Sequence, residues 1–375
     1  MKNGKKERAK GALMGAFIGE ALGVGPHWYY DLKEMRQEYG EWIDDYTEPK
    51  SDRYHAGLEA GQISQAGILL KMMAEHLIEN DGYAQDAFCK MMDQDFLPKI
   101  SGEAMAGPGG YTSQSMRHLW RARVEKELPW DQVAGNADTT ESIERNIAQA
   151  IFYADDLEAL SLNITANTAL TQSDNLIASL TVAYSSVLAL LIQGESLDSK
   201  ISAKLMQAVD QGKLPFHKVT GDNLTPPSKN VVKESDLYGE GLFASPDGLL
   251  SPSYMARAAQ DDDIIIEPAW KAAIVYGMPC AIYHMLPAVY YLSARFNDDF
   301  ENGVLHALNG GGQNQVRTML TGALIGAQVG FSKIPKRFIE GLQQKNELLA
   351  LSDRVKVCSQ TSWACPEERE DGFEF

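Results

Sequence analysis

The chain has 375 residues, with 34 Lys and Arg against 51 Asp and Glu, for a formal charge of −17. Phosphate backbones are held largely by Lys and Arg, so an acidic balance of this size argues against nucleic acid as a partner. An apolar share of 44% beside 23% charged residues is the profile of a soluble globular protein, not of a fibrous or disordered one. Four cysteines, Cys89, Cys280, Cys358 and Cys365, show neither a CxxC pair nor a zinc-knuckle spacing. They read as thiols in a reducing compartment, and the expected location is cytoplasmic.

The chain opens with Lys2, Lys5, Lys6, Arg8 and Lys10 and then turns apolar, which imitates a signal peptide. Glu20 interrupts the apolar stretch, so a helix in the fold is the better reading. From Ile68 the apolar residues Ile68, Leu69, Met72, Met73 and Leu77 mark one face of a helix. Helical patterns follow over 138–154, 175–193, 201–211, 270–296 and 315–329, with Pro279 and Pro287 expected to kink or split the fifth. The run from Leu176 to Ile192 is free of charge but short for a membrane span of about 20 residues, and reads as a buried helix. No membrane partner is expected. Strand-like runs such as Val231–Val232 and Ile264–Ile266 are too short to build a sheet. The predicted fold is therefore all-α, in one domain over residues 1–351. Residues 214–254, rich in Pro and Gly, read as an irregular insertion, and 352–375 as a loose acidic tail.

Gly11, Gly15 and Gly19 lie four apart, and so do Gly322, Gly326 and Gly330 in a nearly repeated segment. Glycine inside a helix costs about 1 kcal/mol relative to alanine, so its repeated use implies close backbone approach. The expectation is that these two helices pack together and bring the two ends of the chain to one cleft.

Gly11 to Gly23 resembles the opening motif of the ADP-ribosylglycohydrolase family. The segment from Gly311-Gly312-Gln313-Asn314-Gln315-Val316 to Ile334-Pro335 resembles its closing motif. The resemblance implies an orthogonal helical bundle in which carboxylates hold two magnesium ions that bind ADP-ribose and position water for glycosidic hydrolysis. Here the family's aspartates are replaced by Gln313 and Gln315, and the early metal motif reads Ser64-Gln65-Ala66-Gly67. His27 stands where the family has a glutamate. Magnesium favours carboxylate oxygens, so no magnesium or other cofactor is expected. His27 with Trp28, Tyr29 and Tyr30, then Asn136-Ala137-Asp138, then Thr171-Gln172 resemble the branch that contains the jellyfish lens crystallins.

Two functions follow from this reading. One is a metal-independent hydrolase of a ribosyl or ADP-ribosyl bond, with a small ligand of ADP-ribose or nucleoside type. Asp138, Asp174 and His27 are its candidate acid–base groups, since glycosidic cleavage uses paired carboxylates. Ser64, Gln65, Gln313, Asn314, Gln315 and Arg317 are its candidate ligand-binding residues, with helix N-termini favouring an anion. The other is a non-catalytic binding or structural protein, crystallin-like, in which Ser64 and Asn314 only cap helices, His27 sits in an aromatic cluster and the aspartates are caps or solvated residues.

Overall fold

The computed structural model describes residues 2–105, 107–217 and 242–358. In chain order its helices are α1 (Lys2–Gly23), α2 (Leu32–Tyr39), α3 (Gln65–Glu79), α4 (Gln85–Met91), α5 (Gln114–Trp120) and α6 (Glu141–Phe152). They continue with α7 (Leu157–Ala169), α8 (Asn175–Gln193), α9 (Ile201–Asp210), α10 (Asp247–Gln260), α11 (Ala272–Tyr276) and α12 (Ile282–Arg295). The last four are α13 (Phe300–Leu308), α14 (Asn314–Val329), α15 (Lys336–Gly341) and α16 (Lys345–Arg354). Among the described residues β structure is confined to isolated bridges, which tie loops rather than build a sheet.

The centre of the bundle is the antiparallel pair α1 and α14. A Cβ added at Gly11 would strike the Gly326 carbonyl oxygen, one at Gly15 that of Gly322, and one at Gly19 that of Thr318. The reciprocal additions at Gly322 and Gly326 would strike the carbonyls of Gly15 and Gly11. The backbones are therefore in contact along more than two turns, as the repeated glycines imply. Around this pair sit α6 and α8, with α3 packed on α6 and touching the end of α1, and α12 and α13 flanking α14. Every residue of α6 is buried, including Glu141, Glu144 and Arg145. The apolar run of α8 is long and apolar enough to cross a membrane, yet 83% of its most apolar window is buried inside the molecule, which makes it a core helix.

Some boundaries differ from the sequence reading. The long helix expected over 270–296 is split at 277–281, where Pro279 sits, while Pro287 is carried inside α12. The irregular stretch expected to reach 254 instead gives way to α10, which holds Pro252 and packs on α12 and α9. Helix α16 runs past the expected start of the tail because Leu351, Ser352 and Val355 are buried. Val231–Val232, most of the insertion, and 359–375 lie outside the described residues.

The contact between α1 and α14 makes a direct prediction. Alanine is the better helix former, but a methyl at Gly15 has no room against Gly322, and overpacking of this kind costs about 1–3 kcal/mol. Gly15→Ala should lower the unfolding free energy by about 2 kcal/mol. Gly4→Ala, which meets only the Arg8 guanidinium, should raise it by up to about 1 kcal/mol. Urea midpoints of the two variants check this, and a stabilised Gly15→Ala would mean that the two backbones do not touch there.

Candidate functional site

Because α1 and α14 are antiparallel, the end of α1 meets the start of α14, and Gly23 lies against the Gln315 backbone. The last buried turns of α1 carry Glu20. Its carboxylate accepts from the Ser64 backbone N–H at 3.0 Å, from Ser64 Oγ, and from Gln315 Nε2 at 2.9 Å. Gln315 Nε2 also donates to Ser64 Oγ at 2.8 Å. Ser64 caps α3 as well, accepting from the Ala66 N–H at 3.3 Å. The glutamate that argues against a signal peptide is thus a fully buried hub between three elements. Burial pushes it up to about 7 despite those hydrogen bonds.

Beside this hub lies a cavity of about 120 Å³. His27, Trp28, His55, Ser64, Gln65, Tyr111, Ser113, Glu141, Glu144, Cys280, Gln313 and Gln315 all line it. Its floor is the first turn of α6. Glu144 accepts from Thr140 Oγ1 at 2.7 Å, and Glu141 accepts from Thr139 Oγ1. Burial, then the neighbouring Glu141 charge, pushes Glu144 up to about 8. Burial raises Glu141 as well. The helix dipole acts the other way on first-turn carboxylates, but typically by only ~0.3–1 kcal/mol, less than the desolvation of a buried charge.

The turn that presents these carboxylates is braced by Thr171 and Gln172. Gln172 Nε2 donates to the Ala137 and Thr139 carbonyls at 2.9 Å each, and its Oε1 accepts from the Ser142 N–H at 3.0 Å. Arg145 donates to Asn167 Oδ1 at 2.7 Å, to the Asn167 carbonyl at 3.0 Å, to Thr171 Oγ1 at 2.8 Å and to the Glu141 carbonyl at 3.1 Å. Its guanidinium is committed to the scaffold, and burial lowers it to about 10.

One wall is aromatic. Trp28 lies edge-on to Tyr54 at 4.6 Å and to Tyr111 at 4.7 Å between ring centroids. His27 and His55 stack at 4.8 Å, with His27 Nδ1 and His55 Nε2 2.6 Å apart. His27 Nε2 donates to Gln313 Oε1, so its Nδ1 accepts from His55. Burial holds both rings neutral, with His55 lowered to about 4 and His27 lowered well below the usual range. Trp28 and His55 have φ of 66° and 67°, a left-handed conformation that costs a non-glycine residue about 1–3 kcal/mol and clusters at functional sites. The Trp28 turn is held by Gly311 and Gly312, both left-handed, through Trp28 N–H to the Gly312 carbonyl at 3.0 Å and Gly312 N–H to the Tyr29 carbonyl at 2.7 Å.

The structure brings together His27, Ser64, Gln65, Gln313 and Gln315, and places the other candidates elsewhere. Asp138 is exposed, outside the cavity lining, and accepts from Tyr283 Oη at 2.9 Å. Asp174 is an exposed cap of α8, accepting from the Leu176 N–H at 2.8 Å. Asn314 is buried and donates to the Pro26 and Leu308 carbonyls at 3.0 and 3.1 Å, which ties the loop after α1 to the end of α13. Arg317 is buried behind the cavity, donating to the Ala307 carbonyl at 3.1 Å and to the Gly311 carbonyl. The sequence reading passed over Glu20, Glu141 and Glu144. An available signal was the Glu141/Glu144 spacing of three on a helix whose other residues are largely apolar.

The magnesium pair implied by the family resemblance does not fit this donor set. The positions that would supply oxygens carry amides, and Gln315 turns its Nε2 inward toward Glu20 and Ser64. Among the described residues no group of three or more His, Cys, Asp or Glu is arranged to hold a metal ion.

The raised carboxyls fix a pH dependence. Glu144 keeps its proton in the fold up to about 8, whereas unfolded it loses it near 4.5. Between those values the folded chain binds more protons, so stability falls as pH rises. The melting temperature should fall between pH 5 and pH 8, and Glu144→Gln should flatten that slope and raise the melting temperature at pH 8. An equal slope in the variant would mean that Glu144 titrates normally.

Comparison with known proteins places this architecture. The family model for ADP-ribosylglycohydrolase matches residues 1–364. Crystallin J1A of Tripedalia cystophora is 21% identical over 361 residues, covering 93% of this chain and 96% of the crystallin. An uncharacterized protein of Archaeoglobus fulgidus is 22% identical over 350 residues, with 93% and 96% covered. A solved structure described as an ADP-ribosylglycohydrolase-related protein complex superposes with a TM-score of 0.58 at 15% identity, covering 94% of this chain and 98% of that one. With the family model spanning nearly the whole chain and the fold agreeing, the chain belongs to the ADP-ribosylglycohydrolase family.

Proposed function

We propose that the protein is a metal-independent hydrolase of a ribosyl glycosidic bond, with Glu144 as general acid and Glu141 as general base. The observation that carries this is the pair of carboxyls at the cavity floor, one held protonated to about 8, which supplies a proton donor and a proton acceptor three residues apart at neutral pH. Hydrolysis on this pair balances simply. The glycosidic bond breaks, its electron pair goes to the leaving nitrogen or oxygen, and that atom takes the Glu144 proton. Water attacks the anomeric carbon as its proton passes to Glu141. Gln65 and Gln313 are placed to bind sugar hydroxyls, and the Trp28 and Tyr111 wall shields the reacting centre from water. Asp138 and Asp174 have no part in this scheme, because both are exposed and neither lines the cavity.

The cavity itself admits one sugar-sized group. Pockets for whole drug-sized ligands are roughly 300–1,000 Å³, so the remainder of an ADP-ribose-like substrate would lie outside it. The similarity to Crystallin J1A favours the second reading, a protein that kept the bundle without chemistry.

The test is release of the leaving group from a 4-nitrophenyl riboside and from an ADP-ribosyl adduct, with and without EDTA. Turnover unaffected by EDTA and reduced about 100-fold or more in Glu144→Gln is the expected result. Catalysis that stops on chelation, or survives intact in Glu144→Gln, would overturn the proposed roles. Absence of turnover on every ribosyl substrate would leave the non-catalytic reading.

A further inference from the structure

We propose that the cavity floor binds a small organic ammonium bearing a hydroxyl, such as an amino alcohol or the amino end of an aminated sugar, and not a phosphate. This names the ligand class for the cavity described above. It rests on that cavity being the functional site, but not on turnover.

The charges around the floor are one-sided. Glu20 approaches from α1, and Glu141 and Glu144 from α6. The loops contribute His27 and His55, both held neutral, with Cys280 and Tyr111. No Lys or Arg is among the lining residues. Three nearby guanidiniums are committed elsewhere, Arg145 onto Asn167 and Thr171, Arg317 onto the Ala307 and Gly311 carbonyls, and Arg117 onto the Thr112 carbonyl and the Tyr111 hydroxyl.

Helix N-termini normally offer amides to an anion. At α3 the Ser64 N–H is taken by Glu20 and the Ala66 N–H by Ser64, and at α6 the Ser142 N–H is taken by Gln172. The chain's own acceptors already fill these places. At α3 and α6 a phosphate entering the cavity would meet carboxyls instead of these amides; at α14 no side chain caps the first turn, and the Glu141 and Glu144 charge is what disfavours an anion there.

An independent observation points to the ligand. Gln65 lines the cavity at 2% exposure, with its Nε2 donating to the Pro108 carbonyl at 3.1 Å and to Thr112 Oγ1 at 3.3 Å. Its Oε1 is buried without a hydrogen-bond partner. A buried amide oxygen left in this state is costly and awaits a donor. The Nε1–H of Trp28, another lining residue, is likewise buried without a partner and suits a ligand oxygen. An ammonium has three donors and no acceptor. Gln65 Oε1, Glu144 and Glu141 offer acceptors for them, and a hydroxyl oxygen answers Trp28.

Calorimetry on the full chain at pH 7.5 tests this with ethanolamine, ethylene glycol as its neutral isostere, and inorganic phosphate. Ethanolamine is expected to bind saturably and at least about tenfold more tightly than ethylene glycol, with phosphate inert. The heat should depend on the ionisation enthalpy of the buffer, because the ammonium drives the proton off Glu144. Glu144→Gln should weaken ethanolamine about tenfold and abolish the buffer dependence, and Gln65→Leu should weaken it with the buffer dependence intact. Equal affinity for ethylene glycol, binding of phosphate, or no ethanolamine binding up to tens of millimolar would each overturn the proposal. The wild-type comparison decides this even if a variant fails to fold. Ethanolamine binding without turnover would remove the hydrolase reading alone, and turnover without ethanolamine binding would remove this one alone.

Discussion

Two helix backbones pressed together along Gly11, Gly15 and Gly19 set the position of nearly everything else at the site. The approach leaves no side chains between α1 and α14, so the register between them is fixed turn by turn by which residue lacks a Cβ. That register delivers Glu20 and Gln315 to the same point from opposite directions, and Ser64 closes the triangle from α3. A shift of one helical turn would carry Glu20 about 5.4 Å along the axis and separate the three. Packing and chemistry are therefore one constraint here, because the glycines that allow the closest contact also determine which polar groups meet at its end.

How much of this the sequence discloses depends on whether a feature is local or tertiary. The repeated glycines, the helical periods, the cap at Ser64 and the convergence of Gln65, Gln313 and Gln315 are local patterns or follow from bringing two motifs together. The family resemblance is equally local, and the whole-chain match agrees with it. Asp138 and Asp174 look apt for acid–base work by residue type, but whether a loop aspartate faces the cavity or solvent is decided by neighbours far along the chain. Tyr283, 145 residues away, holds Asp138 outward.

Glu141 and Glu144 escaped the reading for the opposite reason. Acidic residues in the first turn of a helix complement its dipole and ordinarily sit in water, so their spacing of three on this helix is outweighed by the ordinary solvated reading. Their burial comes from α3 and α8 closing over α6, and from Gln172 and Arg145 holding the entry turn. Helix α10 illustrates the same limit in structural terms. Its Pro252 and flanking glycines suggest irregular chain, yet packing against α12 and α9 sustains a helix through it.

Three glutamates buried together with raised protonation, two non-glycine residues in left-handed backbone and an unpartnered amide oxygen all lower the stability of the fold. Apolar residues of similar volume would serve a purely structural bundle as well or better. The destabilising features are not scattered. Glu141, Glu144, Trp28, His55 and Gln65 line one cavity and Glu20 lies beside it, against the end of the α1–α14 pair. Concentrated strain supported by rigid packing is the arrangement expected where a site must hold groups in states that water would not permit. The same logic separates this site from a magnesium centre. A cation would lower the carboxyls it touches and make the amides of Gln65, Gln313 and Gln315 poor substitutes for charge. Without such a charge Glu144 retains its proton, and the amides become suitable partners for hydroxyls and amines.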